Sequence, residues 1–360
     1  MRTWDAIIVG AGIIGLSLAI ELIKRGLKVL IIDKGEPGRE ASWAAGGMLA
    51  DFPLEMPPQL VDLATASARL YPEFVHELED ESHLKIDLRS QGTIVFVDRA
   101  HAAQRPELAA RALPKPLCEF EPAFRVTSQL ENTTPLFLNE RSVDPRHLTS
   151  AAIASAQHRG IDSSSGDHVQ SVEIAGGKAA GVRTNKTTFA AAVVVNCAGA
   201  WAGQLGPHPF PTRPVKGQML CVAMPEKELL THTIRTPDVY LIPRSDGRLL
   251  IGATQEEAGF DKRTIPETIQ KLRQSALDVV PQLANARFLE AWAGLRPGTP
   301  DALPILGATP TPGYFVATGH FRDGILLAPI TARVMAHLIC EGRTDSDLAA
   351  FQITRVLNDE

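Results

Sequence analysis

The opening residues of the chain have types and spacing suited to holding an anionic ligand. Gly10-Ala-Gly12-Ile13-Ile14-Gly15 follows the apolar run Asp5-Ala-Ile-Ile-Val9 and leads into a stretch of helical composition, residues 16–25. A second apolar run, residues 28–32, ends on Asp33, which stands 18 positions after Gly15. Three spaced glycines alone occur in many turns. Strand, glycine turn, helix, strand and acid in that order make up the full context of a dinucleotide site. Each glycine then serves a different purpose. Gly10 allows the tight turn, Gly12 lets a pyrophosphate approach the backbone, and Gly15 lets helix and strand pack closely. The phosphates meet free N–H groups at the positive end of the helix dipole. Asp33 can accept hydrogen bonds from an adenosine ribose. An adenine dinucleotide is the expected ligand.

Other chemistries have less to stand on. Ten histidines show no metal spacing, and the four cysteines, Cys118, Cys197, Cys221 and Cys340, form no Cys-x-x-Cys pair. A zinc site or a disulfide framework is not expected, and a reducing cytoplasm is the expected compartment. Lys plus Arg number 36 against 41 Asp plus Glu, a net charge of −5, which argues against a nucleic-acid partner.

The elements that must position the glycine loop can be read along the chain. At 360 residues, 44% hydrophobic and 21% charged, it can build a large core, and its length suggests two domains. The uncharged run 6–20 is too short to span a bilayer and lacks a small-residue cleavage site, so it reads as folded structure. Residues 34–50 form a loop rich in small side chains, and 57–85 a helical stretch broken at Pro72. A strand is expected at 92–97, surface helix and loop over 100–140, and a helix at 146–159. A hairpin follows (169–174 and 180–184), then a buried strand from 192 that stops at the Gly199 turn. Mixed strands and one amphipathic helix, 268–279, fill 209–288. A strand at 313–317, the turn Gly319-His-Phe-Arg-Asp-Gly324 and a helix over 325–341 close the pattern.

The spread of these turns separates two dinucleotides. A nicotinamide site is usually built from one contiguous doubly wound domain, whereas here the Gly199 and Gly319–Gly324 turns follow parallel-type strands far downstream of the fingerprint. A nucleotide domain assembled from separated pieces is typical of flavin proteins. The helix after Gly324 could aim its N-terminus at the flavin N1/C2=O edge, which becomes negative on reduction. The predicted fold is α/β. A discontinuous Rossmann-type FAD domain spans 1–50, 140–208 and 290–360, and an inserted α+β substrate domain spans 51–139 and 209–289.

Five segments carry a family resemblance: Gly10 to Gly15, Ala41-Ser-Trp-Ala-Ala-Gly-Gly-Met48, Tyr240-Leu-Ile-Pro-Arg with Gly247 to Thr254, Ala293-Gly-Leu-Arg-Pro-Gly298, and Gly319 to Pro329. In this order, over essentially the whole chain, they resemble the bacterial glycine oxidases of thiamine biosynthesis, within the D-amino-acid oxidase family. The resemblance implies oxidative deamination of glycine or a related small or N-substituted amino acid. Hydride would pass to flavin N5, and O₂ would reoxidise the flavin to give H₂O₂. It also implies a homotetrameric assembly. The alternatives are a dehydrogenase of the same fold serving a quinone or carrier, and a flavin-bound regulatory protein without turnover.

By the same resemblance, Arg296 grips the substrate carboxylate, Arg322 lies beside the site and Tyr240 lines the pocket. A guanidinium fork does hold a carboxylate bidentately, and the glycine and proline flanks of Arg296 suggest a constrained turn. The implied cofactor contacts are Gly10, Gly12, Ile13, Ile14, Gly15, Asp33, Lys34, Ala41, Ser42, Gly46, Gly47, Met48, Val169 and Gly199, then His320, Phe321, Arg322, Asp323, Gly324, Ile325 and Leu326. Hydride transfer from a neutral amine needs no base, so His320 is read as a packing or backbone contact. No cysteine precedes Thr299-Pro-Asp301 in 294–298, so the FAD is expected to be non-covalent. The chain departs from the family pattern at Asp238, Gln255 and Asp323. With Met48, the first two are expected to shape the substrate pocket toward amines more polar or extended than glycine.

Overall fold

The computed structural model describes residues 3–54 and 56–357. The opening unit is β1 (Thr3–Val9), α1 (Ile13–Lys24) and β2 (Val29–Asp33). Ala6 to Val9 are buried, as a strand covered on both faces requires. β1 pairs in parallel with β2 on one side and with Thr188–Asn196 on the other. Tyr314–Thr318 and Asp162–Ser165 extend the parallel run at its two ends. Ile305–Ala308 adds an antiparallel edge, and the hairpin Val169–Ala175/Lys178–Thr184 hangs antiparallel from Thr188–Asn196.

Register does the positioning. Val9 lies opposite both Ile32 and Asn196, and Asn196 lies opposite Val316. The turns at Gly10, Asp33, Gly199 and Gly319 therefore emerge side by side at the carboxyl edge of one sheet, where such sheets bind ligands. Helices α1, Val61–Ser82 and Gly324–Glu341 cover one face of it in a shared core. Gly324–Glu341 is long and apolar enough to cross a membrane (18 residues, mean hydropathy 1.4), yet 61% of it is buried inside this protein.

A second sheet has the order Arg287–Gly298, Arg213–Ala223, Arg248–Gly252, Tyr240–Pro243, Thr233–Arg235, Thr93–Asp98 and Thr133–Leu138. All its pairings are antiparallel except Thr93–Asp98 with Thr233–Arg235. Its side chains alternate between two faces. Leu220, Val222, Leu241, Leu249 and Ile251 pack against the helix Pro266–Val279. Met219, Cys221, Tyr240, Ile242, Leu250 and Trp292 face the other way, toward the short helix Ala41–Ala44.

Three sequence expectations change. Helix Val61–Ser82 runs unbroken through Pro72. The proline cannot donate to the Ala68 carbonyl, and Arg141 Nη1 donates to that oxygen instead, at 3.2 Å. The same helix, expected in the substrate unit, packs into the core of the nucleotide sheet through Leu63, Ala64, Tyr71 and Leu78. Conversely, Arg287–Gly298, expected from residue 290 in the nucleotide domain, is an edge strand of the second sheet. The boundaries at 51 and 290 do not follow this packing. An apolar stripe says that a face is buried and not what it is buried against.

Candidate active site

A cavity of about 1040 Å³ runs along the carboxyl edge of the first sheet and under the second. That exceeds the ~300–1,000 Å³ common for small-molecule pockets and suits a dinucleotide with a small second ligand. At one end Gly10 takes φ +106°, a conformation L side chains rarely adopt, and its N–H donates to the Ile32 carbonyl at 2.8 Å. A Cβ on Gly15 would fall on the Gly10 carbonyl, so that glycine sits under the loop and does not line the cavity. A Cβ on Gly12 would meet only the Ser42 hydroxyl, at 3.2 Å. Ser42 Oγ itself accepts the Ile13 N–H at 2.9 Å.

Asp33 does more than wait for a ribose. Its two oxygens accept the Ala11 N–H at 2.7 Å and the Gly35 N–H at 2.8 Å, pinning the glycine loop from below. A carboxylate has about four lone-pair sites, so acceptor capacity remains. Lys34 Nζ lies 3.2 Å from the centroid of the Trp201 ring, whose other neighbour is Phe260. Burial holds the Lys34 ammonium below its ordinary pKa. Val169, Gly199, Ala41, Gly46 and Gly47 also line the cavity, Gly46 beside Tyr240 and Ile242.

At the middle of the cavity stand His320, Phe321, Arg322, Asp323, Gly324 and Ile325. Leu326 does not line it: its side chain is buried in the helical core. His320 is buried, its Nε2 sits 3.1 Å from Thr331 Oγ1, and desolvation pushes its pKa down to about 3. It is neutral and poorly placed to act as a base near pH 7. Burial raises the Asp323 carboxyl to about 6, against the opposing pull of Arg322 and Arg235.

The far end is made of side chains from the second sheet. Arg296 is not on a turn. It lies within the strand Arg287–Gly298, opposite Val215, on the face that looks into the cavity. Its Nη1 donates to the Thr254 carbonyl at 3.0 Å, and burial depresses its pKa. Among the described residues no carboxylate lies within ion-pair distance of it. A desolvated guanidinium in that position is a receptor for an anion. Tyr240 shares the face: its hydroxyl is 3.4 Å from Met219 Sδ, and burial raises its pKa. Met48, Asp238 and Gln255 complete the wall, the last two at its exposed rim. Gln255 Oε1 accepts from Arg322 Nη2 at 2.5 Å.

Two glycines absent from the sequence-based site make this end possible. A Cβ on Gly217 would lie 2.6 Å from Arg296 Nη2, and one on Gly252 would lie 2.7–2.8 Å from the Tyr240 ring. Both sit inside strands, where glycine often marks a close approach. That is the signal that could have found them.

The family model described as DAO, FAD dependent oxidoreductase, matches residues 5–338. The chain belongs to this family. Its cofactor is FAD, and the N–H groups of Gly12 and Ile14, unspent among the described residues, with the free N-terminus of Gly324–Glu341, fit a dinucleotide laid along the cavity. The family member is 35% identical over 98% of its length to the bifunctional protein ThiO/ThiG of Trichormus variabilis, of which it spans only 55%. It is 34% identical to the hydrogen cyanide synthase subunit HcnC of Pseudomonas aeruginosa, covering 98% of this chain and 96% of that one. The crystal structure of glycine oxidase from Geobacillus kaustophilus superposes with a TM-score of 0.90 at 32% identity, covering 99% of both chains.

Proposed function

We propose that this flavoprotein oxidises the C–N bond of glycine or a small N-substituted amino acid and reduces O₂. Glycine, O₂ and water would give glyoxylate, ammonia and H₂O₂, the imine formed on oxidation being hydrolysed by water, and an N-substituted substrate would release an amine in place of ammonia. The observation that carries the reading is Arg296, a half-buried cation facing the cavity with no carboxylate of its own among the described residues. Bound FAD supplies the two-electron acceptor. The remaining work falls to the chain. Arg296 holds the substrate carboxylate, and the side chains of Tyr240 and Met48 narrow the space around the α-carbon. His320 stays neutral, packed on Thr331, so proton removal from the amine is left to solvent. Positioning carries the rate. We also propose non-covalent FAD retention through Gly10–Ile14 and Asp33, and the tetramer implied by resemblance.

The likeness to HcnC, whose name is not that of an oxidase, favours a second reading, a dehydrogenase serving a carrier. Anaerobic addition of glycine, N-alkyl glycines, D-Ala and D-Pro to the yellow protein should bleach it with at least one of them. Rapid return of colour in air with stoichiometric H₂O₂ supports the oxidase; slow return supports the dehydrogenase. A protein that no amine bleaches would overturn both.

A further inference from the structure

Pro329 lies inside the helix Gly324–Glu341 and offers no N–H to the carbonyl of Ile325, four residues back. That oxygen accepts instead from Tyr71 Oη, at 2.6 Å, across from the helix Val61–Ser82. Tyr71 is fully buried and does not touch the cavity. One turn earlier, Ser67 Oγ donates to the Leu326 carbonyl, also at 2.6 Å. The two bonds look alike, yet they act on different peptide groups. The Ile325 carbonyl shares its peptide with the Leu326 N–H, a first-turn donor with no acceptor among the described residues. The Leu326 carbonyl shares its peptide with the Leu327 N–H, which already donates to the Asp323 carbonyl at 2.8 Å. A donor placed on a peptide oxygen polarises the unit and strengthens its N–H. Tyr71 therefore acts on a first-turn donor that the helix leaves unspent, one residue behind the cavity-lining Ile325, and Ser67 on one spent within the helix.

We propose that Tyr71 is a positioning residue for the flavin: through the Ile325–Leu326 peptide it strengthens the helix N-terminus that stabilises negative charge on the reduced cofactor. The proposal rests on FAD lying along the cavity at this helix and is independent of which amine is oxidised. Sulfite, which adds to flavin and leaves negative charge on the ring, is the probe. FAD-loaded Tyr71→Phe should bind sulfite ~3- to 10-fold more weakly, by loss of one buried polarising bond. Its two-electron midpoint potential should fall in step, tenfold corresponding to ~30 mV. Ser67→Ala loses an equally buried bond and should lower Tm while keeping parental sulfite affinity. Adding Pro329→Ala to Tyr71→Phe supplies a backbone N–H to the same carbonyl and should restore sulfite binding. Parental sulfite affinity in Tyr71→Phe, or an equal shift in Ser67→Ala, would overturn the proposal. If Tyr71→Phe emerges without FAD, the double variant decides. Parental sulfite affinity there supports the role, and weakened affinity with FAD restored overturns it.

Discussion

At the dinucleotide end of the cavity the groups that face a ligand are mostly backbone, with the Asp33 carboxylate beside them; at the substrate end they are side chains. The first end is assembled from turns at Gly10, Gly199 and Gly319 that a parallel register brings to one edge. The second is assembled from Arg296, Tyr240 and Met219, which share one face of an antiparallel sheet because alternation places them there. Backbone donors recognise phosphate whatever the neighbouring side chains are, so one glycine pattern can serve many enzymes. A sheet face takes its specificity from which side chains project, and each substitution there changes what fits. The two ends should therefore fail differently when damaged.

The largest effect is expected at the backbone end. Gly12→Val should leave a folded protein, because only the flexible end of Ser42 stands where the new atoms begin. It should lose FAD, because those atoms fill the approach to the helix N-terminus. Purified variant with a parental far-UV circular dichroism spectrum and no absorbance near 450 nm is the expected result. A yellow Gly12→Val protein would place the pyrophosphate elsewhere.

At the substrate end the cofactor should stay and affinity should go. Arg296→Ala removes a charge-assisted pair worth roughly 1.5–3 kcal/mol, which raises KM ~10- to 100-fold with FAD content unchanged. Gly217→Ala should follow in the same direction by a smaller factor, ~3- to 10-fold, through displacement of the guanidinium it cradles. Equal KM in parent and Gly217→Ala would mean that Arg296 relaxes freely around the added methyl.

Legibility divides along the same line. The cofactor end was readable because its signals are local: Gly10, Gly12 and Gly15 lie on five consecutive peptide links, and Asp33 closes the next strand. The substrate end depends on pairing between segments distant in sequence. Arg296 reads as a turn residue from its Gly and Pro flanks, and only pairing with Arg213–Ala223 shows it to be a strand residue facing inward. Gly217 carries meaning only once the Arg296 guanidinium, reaching over from its place opposite Val215, is known to rest on it. Tyr71 escaped for the same reason, since its partner Ile325 is 254 residues away.

His320 tests whether any side chain at the cofactor end takes part in proton transfer. Its pKa is about 3 when folded and 6.5 as reference, so between these values the unfolded chain binds more protons. Stability from this group is full above pH 6.5 and lost as pH falls through the window, by roughly 2 kcal/mol at pH 5. His320→Asn should lose less Tm than the parent between pH 7.5 and pH 5, with the shape of the kcat–pH profile retained. Loss of a limb of that profile would make His320 a participant.

The smallest expected effect concerns the exposed rim. Gln255 and Asp238 border the cavity where the second sheet meets solvent, and Gln255 is tied to Arg322 by a 2.5 Å hydrogen bond. An amide there offers a donor and an acceptor to whatever projects past the α-carbon. Glycine has nothing to project and leaves those groups to water, whereas an N-substituent with a polar end can engage them. A methionine would break the link to Arg322 and fill the space with apolar surface. Rim groups keep much of their hydration, so the discrimination is modest, on the order of 2- to 5-fold. Gln255→Met should raise kcat/KM for glycine relative to a polar N-substituted glycine by that factor, and Asp238→Asn should weaken selection for the substrate's cationic amine end. Neither should alter sulfite binding, which reports on the flavin alone. Parental kcat/KM ratios in both variants would confine substrate choice to the inner wall of Arg296, Tyr240 and Met48.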